Sequence, residues 1–212
     1  MHGITVVVDN YRRKGAYVTE PPAGAARTEP DRILVLCWAN LCRSPMAAAF
    51  LSRWLAGQSA RVLSAGAVAV DGMEVPAEVA SAMDGYGIDI RSHRARQAQA
   101  ADLAGAGLVL VADRTCLRHA VTAEPRCWPR VFTIKEIVRL GARTGPREPA
   151  EPLGAWLDRA GSGRTRRSLL GASAGDDVAD PAGGPTDGYL ATAAELAVLT
   201  GEIAGLGWGV TV

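Results

Sequence analysis

The chain has 212 residues, enough for one domain with a full hydrophobic core and some excess that need not be core. Its 23 basic and 22 acidic residues nearly cancel, which leaves no global electrostatic footprint for nucleic acid or a membrane surface. Four cysteines without even spacing, the lack of an export-type leader and apolar runs far short of a bilayer span predict a soluble cytoplasmic protein with reduced thiols.

Residues 1–30 begin with a possible short strand, Ile4 to Val8, then turn basic and Pro/Ala-rich through Arg12-Arg13-Lys14 and Pro21-Pro22. So little of this stretch can be buried that a flexible arm is expected, with an added strand or a partner-binding arm as the alternative. Residues 31–212 read as the folded domain. Ile33 to Leu36 is an apolar, β-branched run that predicts a strand buried on both faces, and Ser44-Pro45 predicts a helix start. Met46, Phe50, Leu51, Trp54 and Leu55 then recur at helical spacing, with Gly57 placed to end the helix. Arg61 to Gly66 predicts a second strand running into a turn, and Pro76 to Tyr86 a second helix, with Gly87 behind it. Leu108 to Ala112 and Arg130 to Ile134 are the remaining strands.

Residues 143–175 break this rhythm with Gly, Pro, Ser and the basic cluster Arg164, Arg166 and Arg167. A disordered or partly helical insertion is favoured over a lid, with the arginines on a solvated face. A last helix is expected from Thr186 to about Ile203, turning Tyr189, Leu190, Ala193, Leu196, Ala197 and Ile203 to the core. Strands alternating with helices imply right-handed crossovers and an α/β fold whose parallel sheet is covered on both faces. No internal repeat is visible.

The chemistry concentrates between the first strand and its helix, in Cys37-Trp38-Ala39-Asn40-Leu41-Cys42-Arg43-Ser44. A loop joining a strand end to a helix start aims backbone N–H groups and the positive end of the helix dipole into one bowl, which suits a tetrahedral oxyanion. Backbone donors from Trp38 to Ser44 would hold the phosphate, and Cys37 would be the nucleophile, its ionised sulfur favoured by those donors and by Arg43. Arg43 would grip two phosphate oxygens through its planar fork. Ser44 can donate to the sulfur, and Asn40 tolerates left-handed backbone. Such a cradle stabilises a transferring phosphoryl group with no cofactor and no metal. A zinc site from the four cysteines with His93 or His119 has no recognisable ligand spacing, and Cys116 and Cys127 read as plain thiols. Trp38 either stacks on an aromatic substrate at the rim or packs beneath the loop.

The Cys-x5-Arg block from Cys37 to Pro45 resembles the signature loop of the low-molecular-weight protein tyrosine phosphatases, including their arginine phosphatase and arsenate reductase branches. Further blocks follow in the family's order: Ser64-Ala65-Gly66, Gly87-Ile88-Asp89, Ser92 to Arg96, Ala112-Asp113-Arg114, Val131 to Glu136 and Asp180-Pro181. The resemblance implies a three-layer α/β/α fold with a four-stranded parallel sheet and hydrolysis of phosphomonoesters through a cysteinyl-phosphate intermediate. The substrate it implies is a phosphorylated protein, with phosphotyrosine first, or a small phosphomonoester. It assigns Cys37 as nucleophile, Arg43 as phosphate-binding arginine and Asp180 as the acid that protonates the leaving oxygen and then activates water. It places Asn40, Ser44, Ser64 and His93 in a supporting network, and makes Cys42 the vicinal thiol that traps an oxidised Cys37 as a reversible disulfide. Alternatives are an arsenate reductase using the same loop, a protein arginine phosphatase and a phosphate-binding homologue without turnover.

The chain departs from that pattern in three places. Ala39 stands where the family usually has glycine, at a cost on the order of 1 kcal/mol if positive φ or close backbone approach is needed there. Ala182-Gly183 replaces the aromatic residues that wall the pocket of tyrosine-specific members, and Leu41 replaces the threonine of the arginine-phosphatase branch.

Overall fold

The computed structural model describes residues 29–169, Ser173 and residues 175–211. The stretch carrying the possible strand Ile4 to Val8, and nearly all of the expected arm, lies outside the described residues. In chain order the elements are β1 (Asp31–Cys37), α1 (Arg43–Trp54), β2 (Ala60–Gly66), α2 (Ala77–Asp84), α3 (Ala100–Gly105), β3 (Leu108–Val111) and α4 (Arg114–Ala123). A 3₁₀ turn, Pro125–Arg130, leads to β4 (Val131–Thr133), α5 (Ile134–Thr144), α6 (Leu153–Ala160), a second 3₁₀ turn at Arg166–Leu169 and α7 (Thr186–Trp208).

The four strands are parallel and ordered β2-β1-β3-β4, so β1 is central and its last residue, Cys37, lies beside Gly66 of β2. Successive strand residues face opposite ways. Ile33 and Val35 therefore enter an apolar layer shared with α1, α2, α5, α6 and α7, while Leu34 and Leu36 enter a second layer with α3, α4 and the first 3₁₀ turn. Burial on both faces is why β1 reads as an unbroken apolar run. The result is the expected three-layer α/β/α sandwich. Helix starts follow from local chemistry: Asp113 caps α4 by accepting the Cys116 N–H at 2.7 Å, and Thr133 with Glu136 forms a capping box on α5.

Three expectations are corrected. The last helix continues past Ile203 to Trp208, where Gly209 ends it at φ 67°. Leu190 is 47% exposed rather than core, because the buried stripe of α7 runs through Tyr189, Ala193, Leu196, Ile203 and Ala204 and Leu190 sits about 100° round from Tyr189. By length and composition α7 is also apolar enough to cross a membrane, and in this fold its apolar stripe is spent on the domain core.

The insertion is partly helical, one of the forms expected of it, and the third correction concerns an arginine it carries. Trp156 of α6 is fully buried, its indole donating to the Gly145 carbonyl at 3.1 Å. Gly141 lets it in, since a Cβ there would lie 3.1 Å from the indole. Arg164 is not on a solvated face. Its guanidinium lies 3.9 Å from the Phe132 ring centroid and 4.3 Å from that of Trp128, and it donates to Glu136 at 2.9 Å and to the Val131 carbonyl at 2.7 Å. A weakly hydrated planar cation stacks where a lysine would stay in water. Arg166 and Arg167 remain exposed.

Candidate active site

The loop from Cys37 to Ser44 leaves the carboxyl end of the central strand, where open α/β sheets place their sites. Helix α1 begins with no side-chain cap and no acidic residue in its first turn, so the helix itself leaves first-turn N–H groups without partners at the loop's end. Asn40 holds the loop in shape. Its φ of 57° is the only positive value at a non-glycine residue among the described residues. Its side-chain amide donates to Ser44 Oγ at 2.9 Å and to Ser64 Oγ at 3.0 Å, and its side-chain oxygen accepts the Arg96 N–H at 3.0 Å. His93 Nε2 lies 2.9 Å from the Asn40 carbonyl. Burial holds the His93 pKa below the ordinary value, with Arg94 and Arg96 adding to that and the Asn40 contact opposing it.

The glycine requirement expected at residue 39 falls elsewhere. Ala39 does not have positive φ, but a Cβ at Gly66 would lie 2.9 Å from the Trp38 carbonyl oxygen and 2.7 Å from Ala69 Cβ. Gly66 is thus what lets the loop backbone settle against β2. Trp38 is 43% exposed rather than packed beneath the loop, with its ring edge-on to His119 at 6.0 Å between centroids.

The functional groups converge on a hollow of about 100 Å³. Cys37, Cys42, Arg43 and Asp180 line it, with apolar walls that include Leu41, Pro76 and Tyr189. Cys37 Sγ is 3.0 Å from Ser44 Oγ. Arg43 is nearly fully buried and donates from Nη1 to Asp113 at 2.8 Å and to the Val178 carbonyl at 3.2 Å, and from Nη2 to Asp180 at 2.6 Å. Burial opposes its charge, but Asp180, Cys37 and Asp113 outweigh that and hold its pKa above the ordinary value. Burial likewise acts against the Asp113 carboxylate, yet the Cys116 N–H and Arg43 keep its pKa below the usual range. Asp180 is half-exposed at the mouth. Burial, and then the charges of Cys37 and Asp180, push the Cys42 thiol up to about 12, so Cys42 stays protonated near neutrality.

Cys37, Asn40, Cys42, Arg43, Ser44, Ser64, His93 and Asp180 are therefore gathered in one place, and Leu41 and Ala39 line the same hollow. Sequence reasoning missed Asp113 as a partner of Arg43, and it placed Tyr189 in the core without seeing that its ring also walls the hollow. Among the described residues no group of three or more His, Cys, Asp and Glu side chains could hold a metal ion.

Comparison with known proteins bears on the family and the fold. The sequence model of the family described as low molecular weight phosphotyrosine protein phosphatase matches residues 32–154. A probable low molecular weight protein-tyrosine-phosphatase, EpsP, of Ralstonia nicotianae is 38% identical over 105 residues, 50% of this chain and 71% of that protein. A protein-arginine-phosphatase of Geobacillus stearothermophilus is 29% identical over 176 residues, 82% of this chain and 95% of that one. Among solved structures, the YwlE arginine phosphatase of G. stearothermophilus superposes with a TM-score of 0.62 at 28% identity, covering 82% of this chain and 91% of its own. A low molecular weight protein tyrosine phosphatase from T. tengcongensis gives 0.61 at 31% identity, covering 81% and 96%. With the family model spanning more than half of its length, the chain belongs to the low-molecular-weight phosphotyrosine protein phosphatase family.

Proposed function

We propose that the chain hydrolyses protein phosphotyrosine through a phosphoryl group carried on Cys37, without a metal. The observation that carries this reading is the convergence of Cys37 Sγ, 3.0 Å from Ser44 Oγ, with the Arg43 fork and the Asp180 carboxyl on one anion-sized hollow. In the first step the Cys37 sulfur attacks phosphorus as the bond to the leaving oxygen breaks, and Asp180 delivers a proton to that oxygen. A phosphate in the hollow takes over the fork of Arg43, so Asp180 exchanges the guanidinium for the leaving oxygen. In the second step the Asp180 carboxylate takes a proton from water, the water oxygen attacks phosphorus, and the sulfur leaves with the Ser44 hydroxyl donating to it. Backbone N–H groups and Arg43 hold the equatorial oxygens throughout, the electrostatic contribution that dominates phosphoryl transfer.

Leu41, Pro76 and Tyr189 support an aromatic phosphate ester, since they offer apolar faces to a ring. Phosphoarginine is the second reading, favoured by the arginine phosphatase relative that spans most of this chain. Arsenate reduction by a thiol relay is disfavoured by geometry, because Cys116 and Cys127 are both fully buried and burial raises both thiols, Cys127 to about 11. A panel of phosphotyrosine, phosphoarginine and phosphoserine peptides, with thioredoxin-coupled arsenate reduction alongside, tests the substrate. Fastest kcat/KM on phosphotyrosine is expected, and preference for phosphoarginine or arsenate would overturn it. Cys42 borders the hollow with Cys37 and supports a protective disulfide in a reducing cytoplasm. Thiols should restore activity after peroxide in the wild type and not in Cys42→Ser. Equal recovery in both would remove that role.

A further inference from the structure

We propose that Asp176 is a positioning residue for the acid loop: its buried carboxylate, clamped between Arg114 of α4 and Arg139 of α5, sets where Asp180 stands over Cys37. The proposal rests on Asp180 as the proton donor of the reading above and adds what holds it in place.

Asp176 is only 4% exposed, although it lies in an irregular segment just ahead of Asp180. Arg114 donates to its Oδ2 from Nε at 3.2 Å and also from Nη2, and Arg139 donates to its Oδ1 at 2.9 Å. Burial works against this carboxylate, and the two guanidinium groups overcome it, holding the carboxyl below its usual range. The next residues are tied to the same corner of the fold. Asp177 Oδ1 accepts the Arg114 N–H at 2.8 Å, and the Val178 N–H donates to the Ala112 carbonyl at 2.8 Å. The Val178 carbonyl in turn accepts from Arg43 at 3.2 Å. The acid loop thus hangs from the β3–α4 junction, the junction whose Asp113 holds the other arm of the phosphate-gripping arginine.

The turn does not itself need these charges. It is already closed by the backbone, with the N–H groups of Asp176 and Asp177 both donating to the Ser173 carbonyl at 2.9 Å. Burying a carboxylate between two partly exposed arginines to support a closed turn brings little stability, since desolvation offsets much of the attraction. A fixed carboxylate ahead of a half-exposed Asp180 makes sense as a geometric reference, because proton transfer fails when donor and leaving oxygen are misaligned. Beyond Asp180 the ties among the described residues are local: Ala182 N–H to Asp180 Oδ1 at 3.2 Å, Gly183 N–H to the Tyr189 hydroxyl at 3.2 Å and Gly184 N–H to the Pro181 carbonyl at 2.9 Å.

The test compares kcat/KM for phenyl phosphate, whose leaving group needs the proton, with dinitrophenyl phosphate, whose leaving group does not. Asp176→Asn is expected to lower the first by about tenfold or more and the second by less than about twofold, with inhibition by inorganic phosphate unchanged. In an Asp180→Asn background, Asp176→Asn should cost nothing further. Arg139→Gln, at the solvent end of the clamp, should reproduce the split and Arg139→Lys should restore it, which keeps the test available if Asp176→Asn does not fold. Equal slowing of both esters, or a full additional loss in the Asp180→Asn background, overturns the clamp while leaving the phosphatase reading intact. A wild-type chain inert toward both esters overturns the reading and the clamp together.

Discussion

The cradle from Cys37 to Ser44 and the acid loop from Asp176 to Gly184 face each other across the hollow but are built differently. In the cradle, Asn40 and Ser44 are wholly buried and bonded to each other, and Asn40 is further tied to Ser64, His93 and Arg96. The acid loop is anchored at its first residues through Asp176 and Val178 and opens to solvent from Ala182 to Gly184. On the proposed reading, the half that grips phosphate is over-determined, as a site must be when it stabilises charge without reorganising. On the same reading, the half that delivers a proton and meets the body of the substrate is left accessible at its working end, where loops carry specificity.

That contrast can be broken from the cradle side first. Arg43→Lys keeps the charge and loses the fork, and kcat should fall by roughly 10²- to 10³-fold for any phosphate ester, independent of leaving group. A loss confined to poor leaving groups would show that the arginine serves Asp180 more than phosphate. The acid loop should answer in the opposite manner. Asp180→Asn is expected to slow kcat/KM for phenyl phosphate by about 10- to 100-fold while dinitrophenyl phosphate changes little. Equal slowing of both would deny Asp180 the proton-donor role. The smallest effect sharpens the open end: Ala182→Tyr supplies an aromatic wall beside Tyr189 and should lower KM for a phosphotyrosine peptide by about 2- to 10-fold, with kcat toward small esters unchanged. An unaltered KM would place the substrate ring elsewhere on the rim, for example at Trp38.

The sequence made the cradle legible because its parts are neighbours in the chain: thiol, loop residue with left-handed tolerance, guanidinium and hydroxyl follow within one strand-to-helix turn. The sheet was legible for a similar reason, since strands buried on both faces leave unbroken apolar runs. What escaped depends on pairing across distance. Asp113 meets Arg43 from 70 residues away, and its one local clue was a carboxylate capping a helix at the end of a buried strand, next to where the site had to be. Arg164 looked like a solvated cation because its aromatic neighbours, Phe132 and Trp128, lie outside the insertion that carries it. Leu190 was misplaced by one step of the helix, the error a periodicity argument makes most readily when a helix is apolar nearly all round.

The central claim is that the phosphoryl group passes through the Cys37 sulfur, and trapping it there tests this most directly. Asp180→Asn, which lacks the base for the second step, is mixed with dinitrophenyl phosphate, quenched within one turnover and mapped by peptide mass. The account predicts a burst of about one dinitrophenolate per chain and one phosphoryl group on Cys37, both absent from Cys37→Ser. Turnover without a burst, or a phosphoryl group found on any other residue, would contradict it.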